Sequence, residues 1–410
     1  MRPPRSAYLH IPFCHRRCHY CDFAVVPLGD RAGAEAGAPG STAIATYLEQ
    51  LRQEIERTVG GPPLSTVYLG GGTPSMLTPA QVGELLQTLR HRFGIAPGAE
   101  VTLELDPASF DQDRLQGYLS RGVNRISLGG QSFDDAVLER LGRRHRVRDL
   151  QEAIRWLQTE HQRGALTSWS LDLIQGLPGD DLEHWREQLN LAIAARPPHL
   201  SIYDLIVEPG TVFERRQQQG LLELPEADLA ADLMDLTALR LAGAGYGHYE
   251  ISNHALPGHA SRHNRVYWSG AGWWGFGMGA TTAPWGERSA HPRTRESYAE
   301  AIRRPSIASS GDAGPPPGDG AGSKAGLPLD ELLLVGLRRR EGVALGSLAR
   351  ERGMAASCLE TLARRLEPFR QRGLLLIEGD RWRLQAPAGL ALSNAVLREM
   401  LAWWEEQTAP

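Results

Sequence analysis

From residue 7 to about 205 the chain alternates short apolar, β-rich runs with longer segments in which apolar positions recur every three to four residues. The short runs predict strands at 7–11 (AYLHI), 66–70 (TVYLG), 100–105 (EVTLEL), 124–129 (NRISLG), 168–174 (SWSLDLI) and 199–205 (HLSIYDL). The longer segments predict helices near 43–58, 79–93, 111–121, 134–160 and 181–195. One has a clear start, with Thr78 as cap and Pro79 in the first turn. Strands separated by helices imply a parallel sheet built of βα units.

An open doubly wound sheet and a barrel both satisfy that pattern. Polar and glycine-rich stretches follow most of the strands: cysteines after the first, GGGTPS after the second, Glu104 and Asp106 at the end of the third, GGQSF after the fourth, GLPG after the fifth. Chemistry spread around the carboxyl ends of all strands is the barrel habit, whereas an open sheet gathers it at one switch point. The expected fold is therefore α/β, a partial (β/α)6 barrel over 1–205.

Residues 206–300 read as an extension of that barrel, with a helix near 226–243 and the run HNRVYWSGAGWWGFGMGATTAPW. The Pro/Gly/Ser-rich stretch 301–326 reads as a linker or insertion. Residues 327–410 give helices, a small hairpin and a last helix, a winged-helix-like α+β module.

Composition narrows the class. The 410 residues are 41% hydrophobic and 22% charged, with a formal net charge of -4. That is an ordinary globular balance without the basic surplus of a nucleic-acid binder. No apolar run is long enough to span a membrane, and the start MRPPRSAYLH lacks the apolar core of a secretion signal. A cytoplasmic location is expected, with reduced thiols.

Three of the four cysteines, Cys14, Cys18 and Cys21, lie close together in YLHIPFCHRRCHYCDFAV. Their spacing allows a stripe of buried thiols on one helix face, although His15, Arg16, Arg17, His19 and Tyr20 are polar neighbours and Pro12 interrupts. It allows a Cys3His zinc site closed by His10, His15 or His19, although no second pair of ligands follows downstream. Three thiolates on one loop also suit a [4Fe-4S] cluster with one iron open to a chelating ligand. Cys358 falls in a helical pattern and reads as core.

CxxxCxxC after a first strand, with Tyr20 before the last Cys, resembles the signature of the radical S-adenosylmethionine (SAM) superfamily, whose fold is a partial (β/α)6 TIM-like barrel. YLHIPFCHRRCHYCDF, GGGTPS, LELDP, GGQSFDD, DLIQGLPG, YEISN and HNRVYW together are similar to the family of oxygen-independent coproporphyrinogen III oxidase and its heme-chaperone (HemW) branch. The likeness runs over about residues 6–290 and again in the C-terminal module.

The resemblance implies a [4Fe-4S] cluster on Cys14, Cys18 and Cys21, with SAM chelating the fourth iron. It implies SAM contacts from Gly71, Gly72 and Thr73 at the methionine end, Glu104 to the ammonium, Arg143 to the carboxylate, and Gln131 and Asp172 to ribose hydroxyls, with Tyr8 and Tyr20 flanking. A charged fork and an acidic acceptor suit those partners; by spacing alone, each is equally an ordinary structural polar residue. HNRVYW marks the heme-binding members, with His263 as an axial ligand of heme iron. The oxidase carries a further Cys two positions after its third, where this chain has Phe23, which sets oxidative decarboxylation in doubt.

The function implied is a heme chaperone that binds heme and delivers it to heme-accepting proteins, served by an electron donor such as a flavodoxin or ferredoxin. The enzymatic alternative is coproporphyrinogen III oxidation to protoporphyrinogen IX. A third is a redox-sensing, nucleic-acid-binding regulator, since GLRRR and RQRG could face DNA; the Glu and Asp of the same module oppose it. In the resembled family this module covers the barrel's substrate side.

Overall fold

The structure, a computed structural model, describes residues 3–304 and 327–408. The expected linker therefore lies, from 305 onward, outside the described residues. The six expected strands are present as β1 (Ser6–Ile11), β2 (Leu64–Gly71), β3 (Ile95–Leu105), β4 (Arg125–Gln131), β5 (Ser168–Gln175) and β6 (His199–Asp204). Each pairs in parallel with the next in sequence. A sheet that grows in one direction has no reversal of strand order, which separates it from the doubly wound arrangement.

Three short strands, β7 (Gly247–Glu250), β8 (Asn253–Ala255) and β9 (Trp274–Phe276), extend the sheet to the order β9-β1-β2-β3-β4-β5-β6-β8-β7. β9 joins β1 in parallel, and β8 runs antiparallel to both β6 and β7. Among the described residues no pairing joins β9 to β7.

Side chains alternate strictly along the parallel strands. Leu9, Leu69, Leu103, Leu128, Leu171 and Leu200 are each 0% exposed and belong to one core with the helices. Burial of each contributes roughly 1.5–3 kcal/mol. Their neighbours Tyr8, Tyr68, Thr102, Ser127, Ser170 and Ser201 occupy the opposite face. A parallel sheet covered on both sides is apolar on both faces; here one face is polar, and it forms a lumen.

The connecting helices are α1 (Ser41–Arg57), α2 (Pro79–Arg92), α3 (Gln112–Ser120), α4 (Asp135–Arg140), α5 (Val147–Gln162) and α6 (Leu182–Ala194). Thr78 caps α2 through a full capping box with Gln81. The single helix expected over 134–160 is instead α4 and α5, separated by a turn in which Gly142 takes φ 73°. Downstream come α7 (Val212–Gln218), α8 (Ala227–Gly243) and α9 (Arg262–Trp268).

The C-terminal module has its own core, including Leu333, Leu362, Trp382 and Trp403, around a three-stranded antiparallel sheet whose hairpin is Leu375–Glu378 with Arg381–Leu384. Cys358 packs against this core. The module meets the barrel at β7, where the Arg340 N–H donates to the Tyr249 carbonyl at 3.1 Å, and at α9, where Glu341 pairs with Arg265 and Arg338 lies over Trp268.

Candidate functional site

The residue after β1 turns out of the sheet and opens the cysteine loop. Phe13–Cys14 pairs in parallel with Val26–Pro27, which closes the loop at its base. Its far side is pinned twice through His19, whose N–H donates to the Leu141 carbonyl at 2.9 Å and whose carbonyl accepts from Phe213 at 3.0 Å. The histidines and arginines between the cysteines therefore serve the loop's docking and its outer surface, and no regular helix forms there.

The loop roofs a cavity of about 440 Å³ at the carboxyl ends of the strands. Cys14, Cys18, Cys21 and Tyr20 line it, as do Gly71, Gly72, Thr73, Glu104, Gln131, Arg143 and Asp172. Residues far apart in the chain are thus brought to one place. Two sequence candidates are not among the lining residues, namely Tyr8 and His263.

The glycines are needed for close approach within the chain itself. A Cβ on Gly71, whose φ is +113°, would lie 2.5 Å from the His10 ring, and one on Gly72 would lie 2.8 Å from the Pro12 and Phe13 backbone. That approach lets the Gly71 N–H donate to Glu104 Oε2 at 3.0 Å, while the Tyr68 hydroxyl donates to Oε1 at 2.8 Å. Burial pushes the Glu104 carboxyl up to about 7 against those two bonds.

Arg143 stands against Asp106, two residues past Glu104. Its Nη2 donates to Asp106 Oδ2 at 2.6 Å and to the Gly129 carbonyl at 2.9 Å, and its Nη1 lies 3.7 Å from Cys18 Sγ. Its Nε is buried with no partner among the described residues. Burial would raise the Asp106 carboxyl, but Arg143 and His145 outweigh it and hold it below the usual carboxylate range. Gln131 has φ 63°, in the left-handed region, beside a register shift between β4 and β5, and this irregularity ends the strand at the cavity wall.

Asp172 accepts from Ser127 at 2.7 Å and Ser170 at 2.6 Å, and burial raises its carboxyl despite both. Thr73 donates to Cys14 Sγ at 3.5 Å, while burial pushes the Cys14 thiol up to about 12. Among the described residues no three His, Cys, Asp or Glu side chains are placed to hold a single metal ion between them. A cube that takes one thiolate per iron asks for no such convergence.

His263 sits apart from the cavity lining, among the chain's own groups. The ring is 1% exposed, with Nδ1 bonded to Thr66 Oγ1 at 2.9 Å and Nε2 to the Tyr267 hydroxyl at 2.8 Å. A neutral imidazole has one donor and one acceptor, and here both are used. Tyr8 likewise stacks on Tyr68, ring centroids 6.1 Å apart, and bonds His10. Of the C-terminal module, Pro387 and Ala391 approach the carboxyl ends of β5 and β6, where they share a small pocket with Gln175 and the cavity-lining Asp204.

Sequence reasoning missed Tyr68, Ser127 and Tyr203 in the lining, and it singled out Asp106 only as a strand-end residue. All four follow from strand position, since every second residue faces the lumen. It also missed the mouth. Phe23, Tyr203 and Ile206 line the cavity yet are 57%, 43% and 64% exposed, with Arg16 and Arg17 beside them.

Residues 8–192 match the Radical SAM superfamily. The heme chaperone HemW of Synechocystis sp. is 39% identical over 420 aligned positions, covering 98% of each chain. The heme chaperone HemW of Escherichia coli (strain K12) is 38% identical over 302, covering 71% of this chain and 75% of that one. The solved structure of Escherichia coli coproporphyrinogen III oxidase (HemN), a radical SAM enzyme, shares the fold with a TM-score of 0.74 over 97% of this chain and 90% of that one, at 22% identity.

Proposed function

The chain belongs to the radical SAM superfamily and, within it, to the HemW branch of the coproporphyrinogen oxidase-like family; from that premise we propose that it is a heme chaperone, binding heme beside a [4Fe-4S] cluster and SAM and passing it to heme-accepting proteins. The observation that carries this reading is the single cavity shared by three thiols, one buried guanidinium with an unpartnered Nε, and an apolar, exposed mouth.

Cys14, Cys18 and Cys21 would hold the cluster, one thiolate to each of three irons. When bound, cluster and SAM together supply one-electron chemistry that no side chain here can supply. Arg143 sets a fixed positive charge beside Cys18, its Nη1 3.7 Å from the sulfur. Its Nη1, beside Cys18 and Tyr20, is the end that could donate to a carboxylate while Nη2 keeps Asp106. Glu104 offers a carboxylate to an ammonium group, and its two bonds to Gly71 and Tyr68 fix its direction. Asp172 and Gln131 face the same space with groups suited to ribose hydroxyls.

Heme is a large flat apolar ring with anionic propionates, and the mouth offers matching surfaces in Phe23, Tyr203, Ile206, Arg16 and Arg17. A reductant for the cluster would come from an electron-donor protein. Among the described residues no helix is long and apolar enough to cross a membrane.

The test is transfer itself. Cluster-loaded protein charged with one equivalent of heme and mixed with a heme-free b-type cytochrome should convert the acceptor to its holo spectrum. Turnover of coproporphyrinogen III to protoporphyrinogen IX with SAM and a reductant, without heme transfer, would sink the proposal.

A further inference from the structure

The HNRVYW segment lies away from the cavity, yet it is tied into the sheet more tightly than packing alone requires. Glu100 on β3 accepts N–H bonds from Arg262 at 3.0 Å and His263 at 2.9 Å, fixing the first turn of α9. His263 then bonds Thr66 on β2 and Tyr267 within α9. Its ring stacks on Tyr68, centroids 5.2 Å apart and planes 29° apart. Tyr8 stacks on the same Tyr68 ring. Thr66 and Tyr68 are alternate residues of β2, as Glu100, Thr102 and Glu104 are of β3, so both strands run from the α9 anchorage to the cavity on one face.

We propose that His263 and Tyr267 are positioning residues, which hold the Tyr68 ring and through its hydroxyl aim the Glu104 carboxylate at the ammonium group of the ligand in the cavity. This rests on the reading of that cavity as a SAM site. The physical reason is rigidity: a phenol held between two stacked rings keeps its O–H on one acceptor, and a carboxylate with both oxygens so engaged cannot swing away. No bond forms or breaks in this role. It accounts for a histidine on α9 with both nitrogens committed to hydrogen bonds, one of which iron ligation would have to break.

The groups facing Glu104 are Tyr68, Tyr8, Tyr203, Tyr267 and Asp172. Among the described residues only Tyr68 and the Gly71 N–H hold its charged form by hydrogen bonds. A loosened Tyr68 leaves burial less opposed, so the carboxyl should titrate at higher pH.

The experiment uses the full chain with its cluster reconstituted and SAM binding measured calorimetrically from about pH 6 to about pH 8, where a carboxyl raised to this extent titrates. His263→Ala should weaken SAM about tenfold, the scale of one charge-assisted hydrogen bond. It should also move the pH midpoint of binding upward, in the same direction as Tyr68→Phe. His263→Gln, which keeps a polar end for Thr66 or Tyr267, should recover part of both. If His263→Ala does not fold, Tyr267→Phe removes a single hydroxyl and should shift the midpoint the same way. Wild-type affinity and midpoint in His263→Ala or Tyr267→Phe would overturn the inference. A wild-type protein that holds its cluster but binds no SAM would overturn the reading of the cavity, and the inference with it.

Discussion

Glu104, at the end of β3, and His263, on α9, are both polar side chains on the lumen side of one sheet, yet their surroundings differ in what is left over. Around His263 the hydrogen bonds close on one another: Glu100 on the α9 backbone, His263 on Thr66 and Tyr267. Around Glu104 they leave an open space, which the Cys14, Cys18 and Cys21 thiols and the Arg143 guanidinium also line. Buried polar groups that satisfy each other hold a fold, whereas groups with unused valence facing open space are the ones positioned to bind.

The strongest way to break that division is at the thiols. Cys14→Ala, Cys18→Ala and Cys21→Ala should each remove essentially all cluster absorbance after reconstitution, measured as iron per chain. Cys358→Ala should remove none. Retained iron in any of the first three would show that the loop is not the cluster's holder.

Glu104→Gln keeps the shape and removes the charge. SAM affinity should fall about 10- to 100-fold, the loss of a charge-assisted bond in a buried site, with iron content unchanged. An unaltered dissociation constant in calorimetry would remove Glu104 from the site.

The pH dependence follows with its sign. With its carboxyl raised to about 7, Glu104 is neutral below that pH and charged above it. A cationic ammonium pairs with the charged form, so SAM affinity should rise as pH increases through 7 and fall by at most about tenfold per unit below it. A flat profile would mean that Glu104 is not the ammonium's partner.

The smallest effect is expected at the mouth. Ile206→Asp should weaken heme about tenfold, the scale of one lost apolar contact, and leave SAM affinity intact. Equal losses of both ligands would indicate a collapsed cavity instead of two adjoining subsites.

Much of this was legible in the chain. The six strands and their helices follow from periodicity, and the ordered motifs carry the family and most of the cavity wall. Other features have no signal of that kind. The break between α4 and α5 depends on Gly142 interrupting a pattern that otherwise reads as one long helix, and it is this turn that brings Arg143 beside Cys18. Tyr68 and Ser127 sit in strands that read as apolar runs, where the alternation is visible only once one face is known to be a polar lumen. β7, β8 and β9 are three or four residues long, too short for periodicity to reveal. The partners of His263 are likewise hidden in the sequence: its two hydrogen bonds are set by Thr66, 197 positions away, and by α9 itself.

Hemin titration of the anaerobically reconstituted protein, run in parallel on wild type, Ile206→Asp and His263→Ala, tests the division most directly. The account predicts a shifted, saturable Soret band in wild type, the same band in His263→Ala, and weaker binding in Ile206→Asp. A free-hemin spectrum in wild type, or a shift lost in His263→Ala and kept in Ile206→Asp, would contradict it.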